Sequence, residues 1–121
     1  MKSITIIIIL LTTWLDQRHD SDCSEAHSSA EDSYSYCKRA FDSDSWSDLK
    51  DYLKKAMNSF EEAKENAEDC KCDEAFTSAD DGYSYARKGY NSTDWEETKN
   101  YAKKAKNSAD DVITNTNDCD N

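Results

Sequence analysis

Laid over itself at an offset of 49 residues, this chain repeats. Between residues 23–70 and 72–119, 21 of the 48 aligned pairs are identical without a gap. The matches include Cys23 with Cys72, Ala26 with Ala75, Ala30 with Ala79, Tyr34-Ser35-Tyr36 with Tyr83-Ser84-Tyr85, Trp46 with Trp95, Tyr52 with Tyr101, Lys54-Lys55-Ala56 with Lys103-Lys104-Ala105, and Cys70 with Cys119. A self-match of that length at one fixed offset is a duplication. The fold must therefore be assembled from two copies of one unit that begins and ends with cysteine.

Within each unit the apolar and small residues keep helical spacing. Trp46, Leu49, Leu53, Ala56, Phe60, Ala63, Ala67 and Cys70 step by three and four in turn, which is one continuous helix stripe. The first half of the unit reads Cys23, Ala26, Ala30, Tyr34, Cys37, Phe41, and its copy reads Cys72, Ala75, Ala79, Tyr83, Ala86, Tyr90. The period-two alternation that a strand needs is absent. Breaks are expected at Asp42 to Ser45 and at Asn91 to Asp94, each followed by a capping pair, Ser45 with Asp48 and Asp94 with Glu97; Asp22 with Glu25 offers a similar start to the first helix. The predicted fold class is all-α: a four-helix up-and-down bundle of two homologous, disulfide-closed helical hairpins in one domain, residues 22–121. The chain must turn between hairpins around Asp69 to Asp73, where neither Gly nor Pro occurs, so a helix running straight through remains the alternative.

A bundle of this composition has a thin core. Leu, Ile, Val and Phe number seven in residues 22–121 and the net charge is −11, a combination that ordinarily predicts disorder. Twelve Ala, with Tyr, Trp and Cys, must supply the cohesion instead. Cys23 opens and Cys70 closes the first unit, as Cys72 and Cys119 do the second. Four cysteines allow three connectivities, and the duplication favours 23–70 with 72–119. In the chain-entropy account each such bridge contributes about 4 kcal/mol. The second helix of each hairpin reads longer than the first by about six residues, roughly 9 Å, so its last turn, near Glu68 in the first hairpin, is expected to bend or fray for the bridge to close. Cys37, aligned with Ala86, is either a small buried hydrophobe or a redox or dimer-forming thiol. Cys70-Lys71-Cys72 could hold a metal only with a second Cys/His pair, which the sequence does not offer, so no metal site or cofactor is expected.

Residues 1–21 read as a secretory signal peptide: Lys2, then an apolar run from Ile4 to Leu15, too short to span a membrane. Cleavage is expected between Thr13 and Asp22, the alternative being a retained signal anchor. Removing 1–21 takes away two charges of each sign and leaves −11. A secreted acidic protein of this kind is not expected to bind nucleic acid or an anionic membrane. The single sequon, Asn91-Ser92-Thr93, falls in the expected loop of the second hairpin, where Asn91 would be an accessible acceptor.

Catalytic patterns are poor, and no enzyme is expected. His19 lies beside the apolar leader and His27 aligns with Phe76, a packing position. No nucleophile–His–acid set, HExxH or Gly-rich phosphate loop can be assembled. Asp80-Asp81, Glu61-Glu62 and Asp110-Asp111 lack the alternating oxygen spacing of a calcium loop and read as solvated faces. Tyr36 and Tyr85, second members of the repeated Tyr-Ser-Tyr, point roughly 200° away from the core stripe; they either anchor a partner or fill a second seam between helices.

The order within each unit, Cys, an Ala/Tyr helix, a short turn, Asp44-Ser45-Trp46 or Thr93-Asp94-Trp95, a Lys-x-Tyr (Lys50 to Tyr52, Lys99 to Tyr101) and a closing Cys, resembles the disulfide-closed hairpin of the plant invertase and pectin methylesterase inhibitor family. The resemblance covers each repeat, without that family's N-terminal helical extension or a Pro-Lys-Phe segment, since the chain holds no Pro. It implies an apoplastic protein that docks a bundle face against a carbohydrate-active enzyme. The expected function is accordingly a secreted, monomeric inhibitor-like or protein-interaction module with an extracellular protein partner. The alternatives are an extracellular carrier of a small ligand or a secreted effector or toxin-like helical protein.

Overall fold

A computed structural model describes residues 22–120, and in them the chain forms four helices: α1 (Ser24–Asp42), α2 (Trp46–Asp69), α3 (Asp73–Asn91) and α4 (Trp95–Asp120). Each packs on two neighbours, α1 on α2 and α4, α3 on α4 and α2, while the diagonal pairs barely meet. This is an up-and-down four-helix bundle in which α1–α2 and α3–α4 are related as the two sequence repeats. The signal-peptide reading of residues 1–21 lies outside the described residues.

The helix breaks follow the predicted chemistry with local differences. Ser45 accepts from the Asp48 N–H at 3.3 Å and Asp94 from the Glu97 N–H at 2.9 Å, as expected of N-caps. At the start of α1 the cap position is Cys23, not Asp22; Asp22 Oδ1 accepts instead from Ser24, through its N–H at 3.2 Å and its hydroxyl at 2.8 Å. Between the hairpins no helix runs through. Lys71 adopts φ 60°, the Cys72 N–H donates to the Ala67 carbonyl at 2.9 Å, and the Lys71 N–H to that of Glu68 at 3.1 Å. That pair of bonds is a Schellman C-terminus, with lysine at the left-handed position that glycine usually fills.

Both disulfides of the favoured pairing form, Cys23–Cys70 with Cα atoms 5.4 Å apart and Cys72–Cys119 with 5.9 Å. The predicted fraying near Glu68 does not occur, because α2 is helical to Asp69. With α1 and α2 level at the disulfide, the extra length of the 24-residue α2 over the 19-residue α1 is taken up at the loop end. There the connection leaves α1 with Ser43 and Ser45 both extended, ψ 141° and 134°, and carries the chain along the bundle axis before α2 starts.

Small residues bring the helices close. The innermost positions on α1 are Ala26, Ala30, Ser33, Cys37 and Ala40, and on α3 Ala75, Ala79, Gly82, Ala86 and Gly89. The predicted stripe is thus displaced: Tyr34, Tyr83 and Phe41 are half-buried flanks and Tyr90 is exposed, since an aromatic ring does not fit between helices in such contact. Likewise Trp46, the expected head of the α2 stripe, is 40% exposed, and burial begins at Leu49.

The two copies divide volume unequally. On α2, Leu49, Leu53 and Phe60 are fully buried where α4 has Thr98, Ala102 and Ala109. The opposing helices compensate: α3 has Gly82, Ala86 and Gly89 where α1 has Ser33, Cys37 and Ala40. A Cβ built on Gly82 would stand 2.2 Å from a Phe60 ring carbon, and one on Gly89 3.1 Å from Leu53 Cδ1. Towards the disulfide end the core thins to Ala26, Ala30, Ala63, Ala67, Ala75, Ala79 and Val112 around Cys23 and Cys72.

Candidate interaction surface

The end of the bundle opposite the disulfides is built by two lysines that the duplication places symmetrically. Lys50, in the first turns of α2, reaches across to the C-terminus of α3, where its ammonium donates to the carbonyls of Gly89 (3.3 Å), Tyr90 and Ser92. Lys99 of α4 does the same to α1, donating to Phe41 and, at 2.6 Å, to Ser43. Each hairpin thereby supplies the cation that answers the negative end of the other hairpin's first helix. Burial against these groups pulls the Lys50 pKa below the usual lysine range.

The aromatic rings of the same end stack on those cations. Lys50 Nζ lies 4.8 Å from the Trp46 ring centroid and 5.6 Å from Tyr90, and Lys99 Nζ 4.9 Å from Trp95 and 5.6 Å from Phe41. Trp46 and Trp95 meet each other at 5.7 Å between centroids, tilted 36°. Trp46 at 40% and Tyr90 at 37% are the exposed large apolar side chains of the described residues. Lys50 and Lys99 are identical in the repeat, but nothing near them in sequence marks this role, because their partners are backbone carbonyls about 40 to 60 residues away. The retained Lys-x-Tyr spacing was the available signal.

The other sequence-predicted residues are distributed, not gathered. Cys23, Cys70, Cys72 and Cys119 sit at the far end as two bridges. Cys37 is free and fully buried, and burial pushes its thiol pKa up to about 12. A bridge from Cys37 to a second molecule therefore requires the bundle to open first. Asn91 is exposed and is the last residue of α3 instead of a loop residue, one position before the carbonyl that Lys50 holds. Tyr36 and Tyr85 are half-buried, each packed on the edge of the core. Tyr85 has Lys88 and Lys104 over its ring at 6.0 and 5.8 Å. His27 touches the Thr116 hydroxyl at 3.3 Å and Glu31 at 3.5 Å, at the seam between α1 and α4.

Among the described residues no cluster of His, Cys, Asp or Glu could hold a metal, and no helix is long and apolar enough to cross a membrane. One surface depression is lined by Asp73, Glu74, Thr77, Ser78 and Asn115, and another by Glu61, Lys64, Glu65, Glu68 and Phe76; both open widely to solvent. Neither has the enclosed apolar form that a carrier of an apolar ligand requires. Comparison with protein-family models, with curated proteins and with solved structures gave no match.

Proposed function

We propose that the chain is a secreted, disulfide-braced helical module that docks its loop end on another extracellular protein, with a carbohydrate-active enzyme as the target implied by the resemblance to invertase and pectin methylesterase inhibitors. The observation that carries this reading is the exposure of Trp46 and Tyr90 side by side on a rigid base, with Lys50 bonded to carbonyls beneath both rings. Aromatic anchors held in place before contact lose little entropy on binding, and residues of this type dominate the energetics of protein interfaces. The two disulfides suit an oxidising compartment, and the exposed Asn91 suits glycosylation on the way out of the cell.

The test is capture followed by inhibition. Disulfide-intact protein, immobilised at micromolar concentration, is expected to retain a glycosidase or esterase from extracellular fluid and to inhibit it stoichiometrically. Replacing Trp46 and Tyr90 together by Ala should weaken the complex at least about tenfold, or 1.4 kcal/mol. Retention of no such enzyme overturns the proposed target.

A further inference from the structure

The net charge of −11 is not spread over the molecule. Residues 34–41, 52–58, 83–90 and 101–107 contain nine of the thirteen Lys and Arg of the described chain, all seven Tyr, and no Asp or Glu. In an up-and-down bundle these four segments lie at one level, one from each helix, so they form a closed collar about 12 Å tall at 1.5 Å per residue. The collar carries +9 and the rest of the described chain −20.

The collar's charges and rings are accessible. Of its basic side chains, Lys38, Arg39, Lys54, Lys55, Arg87, Lys88, Lys103 and Lys104 are exposed, and no tyrosine is buried. The ammonium groups are arranged over the rings: Lys55 lies 5.6 Å from Tyr52, Lys104 5.7 Å from Tyr101 and 5.8 Å from Tyr85, and Lys88 6.0 Å from Tyr85. The one carboxylate that reaches in from the edge is Asp51, 3.4 Å from Lys55. Tyr36, Tyr52 and Lys55 recur identically as Tyr85, Tyr101 and Lys104, and Arg39 as Lys88, so both hairpins present the same group.

We propose that this collar binds a linear acidic polysaccharide. The polymer's carboxylate or sulfate groups pair with the ammonium and guanidinium groups, and its sugar rings pack beside them against the exposed edges of the tyrosines. The shape of the collar selects this occupant. A flat anionic membrane can touch only one side of a ring and would press against acidic ends. A nucleic-acid duplex, whose major groove alone is about 12 Å wide, overhangs the band onto those same carboxylates. A single narrow chain can follow it. The preference for a polysaccharide over a single-stranded nucleic acid rests on the secreted reading above; the collar itself does not depend on enzyme inhibition. At 0.1 M salt the screening length is about 10 Å, so carboxylates farther than that along the axis, such as those beside the disulfides, act weakly on the collar, while Asp51, Glu61 and Glu62 at its edges trim its field.

A protein this acidic has no reason to bind a polyanion unless the collar is a site, which makes the test sharp. The disulfide-intact protein at pH 7 and 0.1 M NaCl is titrated with polygalacturonate, heparin, neutral dextran and a thymidine oligonucleotide, with calorimetric readout. Binding to polygalacturonate or heparin and not to dextran is expected. It should fall at least about tenfold when Lys54, Lys55, Lys103 and Lys104 all become Gln, and stay unchanged in Lys71→Gln, which lies outside the collar. The four lysines are exposed, so circular dichroism should show the quadruple variant folded. No binding to either acidic polysaccharide, binding that survives the quadruple substitution, or tighter binding to the oligonucleotide each overturns the proposal.

Discussion

At single positions, the bundle is decided by where volume is placed. Phe60 fills the space that Gly82 leaves, and a methyl group there would stand 2.2 Å from the ring. Gly82→Ala should therefore destabilise by about 1 to 3 kcal/mol despite alanine's better helix propensity. The aligned residues of the other copy, Ala109 and Ser33, show that the scaffold accepts the reverse assignment. Phe60→Ala with Gly82→Ser should then cost less than the sum of the two single changes, measured as urea midpoints; strict additivity would refute the coupling. Cys37 belongs to the same redistribution, occupying the place of Ala86 against the smaller side chains of α4. Its thiol pKa is raised from 9.0 to about 12, so the folded state holds the proton more tightly than the unfolded one. The stability this gives is whole below pH 9 and is lost as pH rises towards 12, at about 1.4 kcal/mol per unit. In Cys37→Ala the loss of stability between pH 9 and 11 should be visibly shallower, and equal slopes would exclude the buried-thiol account.

At the level of elements, the three-and-four spacing made all four helices legible and the Ser45 and Asp94 caps marked the starts of α2 and α4, because those signals act within a turn or two; α1 and α3 start at Cys23 and Cys72 without a side-chain cap. What escaped was set by distant contacts or by backbone conformation. Lys50 and Lys99 cap helices about 40 to 60 residues away, so nothing near them in sequence reveals the role. The turn at Cys70–Cys72 was ambiguous because lysine stands at the left-handed position, φ 60°, where glycine would have announced it. The helical spacing places Tyr34 and Tyr83 on the core stripe, but spacing alone does not say how closely two helices approach; the buried small residues Ser33 and Gly82 occupy the innermost positions instead. The lysine at position 71 carries the steric cost of the left-handed region, about 1 to 2 kcal/mol, partly offset in glycine by greater unfolded-state freedom. Lys71→Gly should raise the thermal midpoint by an amount matching about 0.5 to 1 kcal/mol. A lower midpoint would mean that the turn is held by something other than its Schellman bonds.

Over the whole molecule, apolar packing and covalent bracing are segregated. Leu49 and Leu53 lie in the half nearer the loops and Phe60, near the middle of α2, joins their cluster, whereas the disulfide end has Val112 as its one large fully buried aliphatic side chain among alanines. That alanine-lined half is where both disulfides sit, and where the Cys23 N–H donates to Asp120 Oδ1 at 2.8 Å to tie the two ends of the described chain together. It also carries most of the carboxylates, whose repulsion opposes compaction. Hydrophobic burial there is least able to offset chain entropy, so the bridges matter most. Replacing either pair by Ala should cost about 4 kcal/mol in the chain-entropy account, close to the whole stability of many small domains. Replacing both should leave the chain largely unfolded at low ionic strength, with helicity partly regained in molar salt as the acidic end is screened. Circular dichroism of the two single-bridge variants and the bridgeless one, each with and without salt, measures this. A bridgeless chain that melts within a few degrees of the parent would show instead that the alanine seams alone hold the bundle.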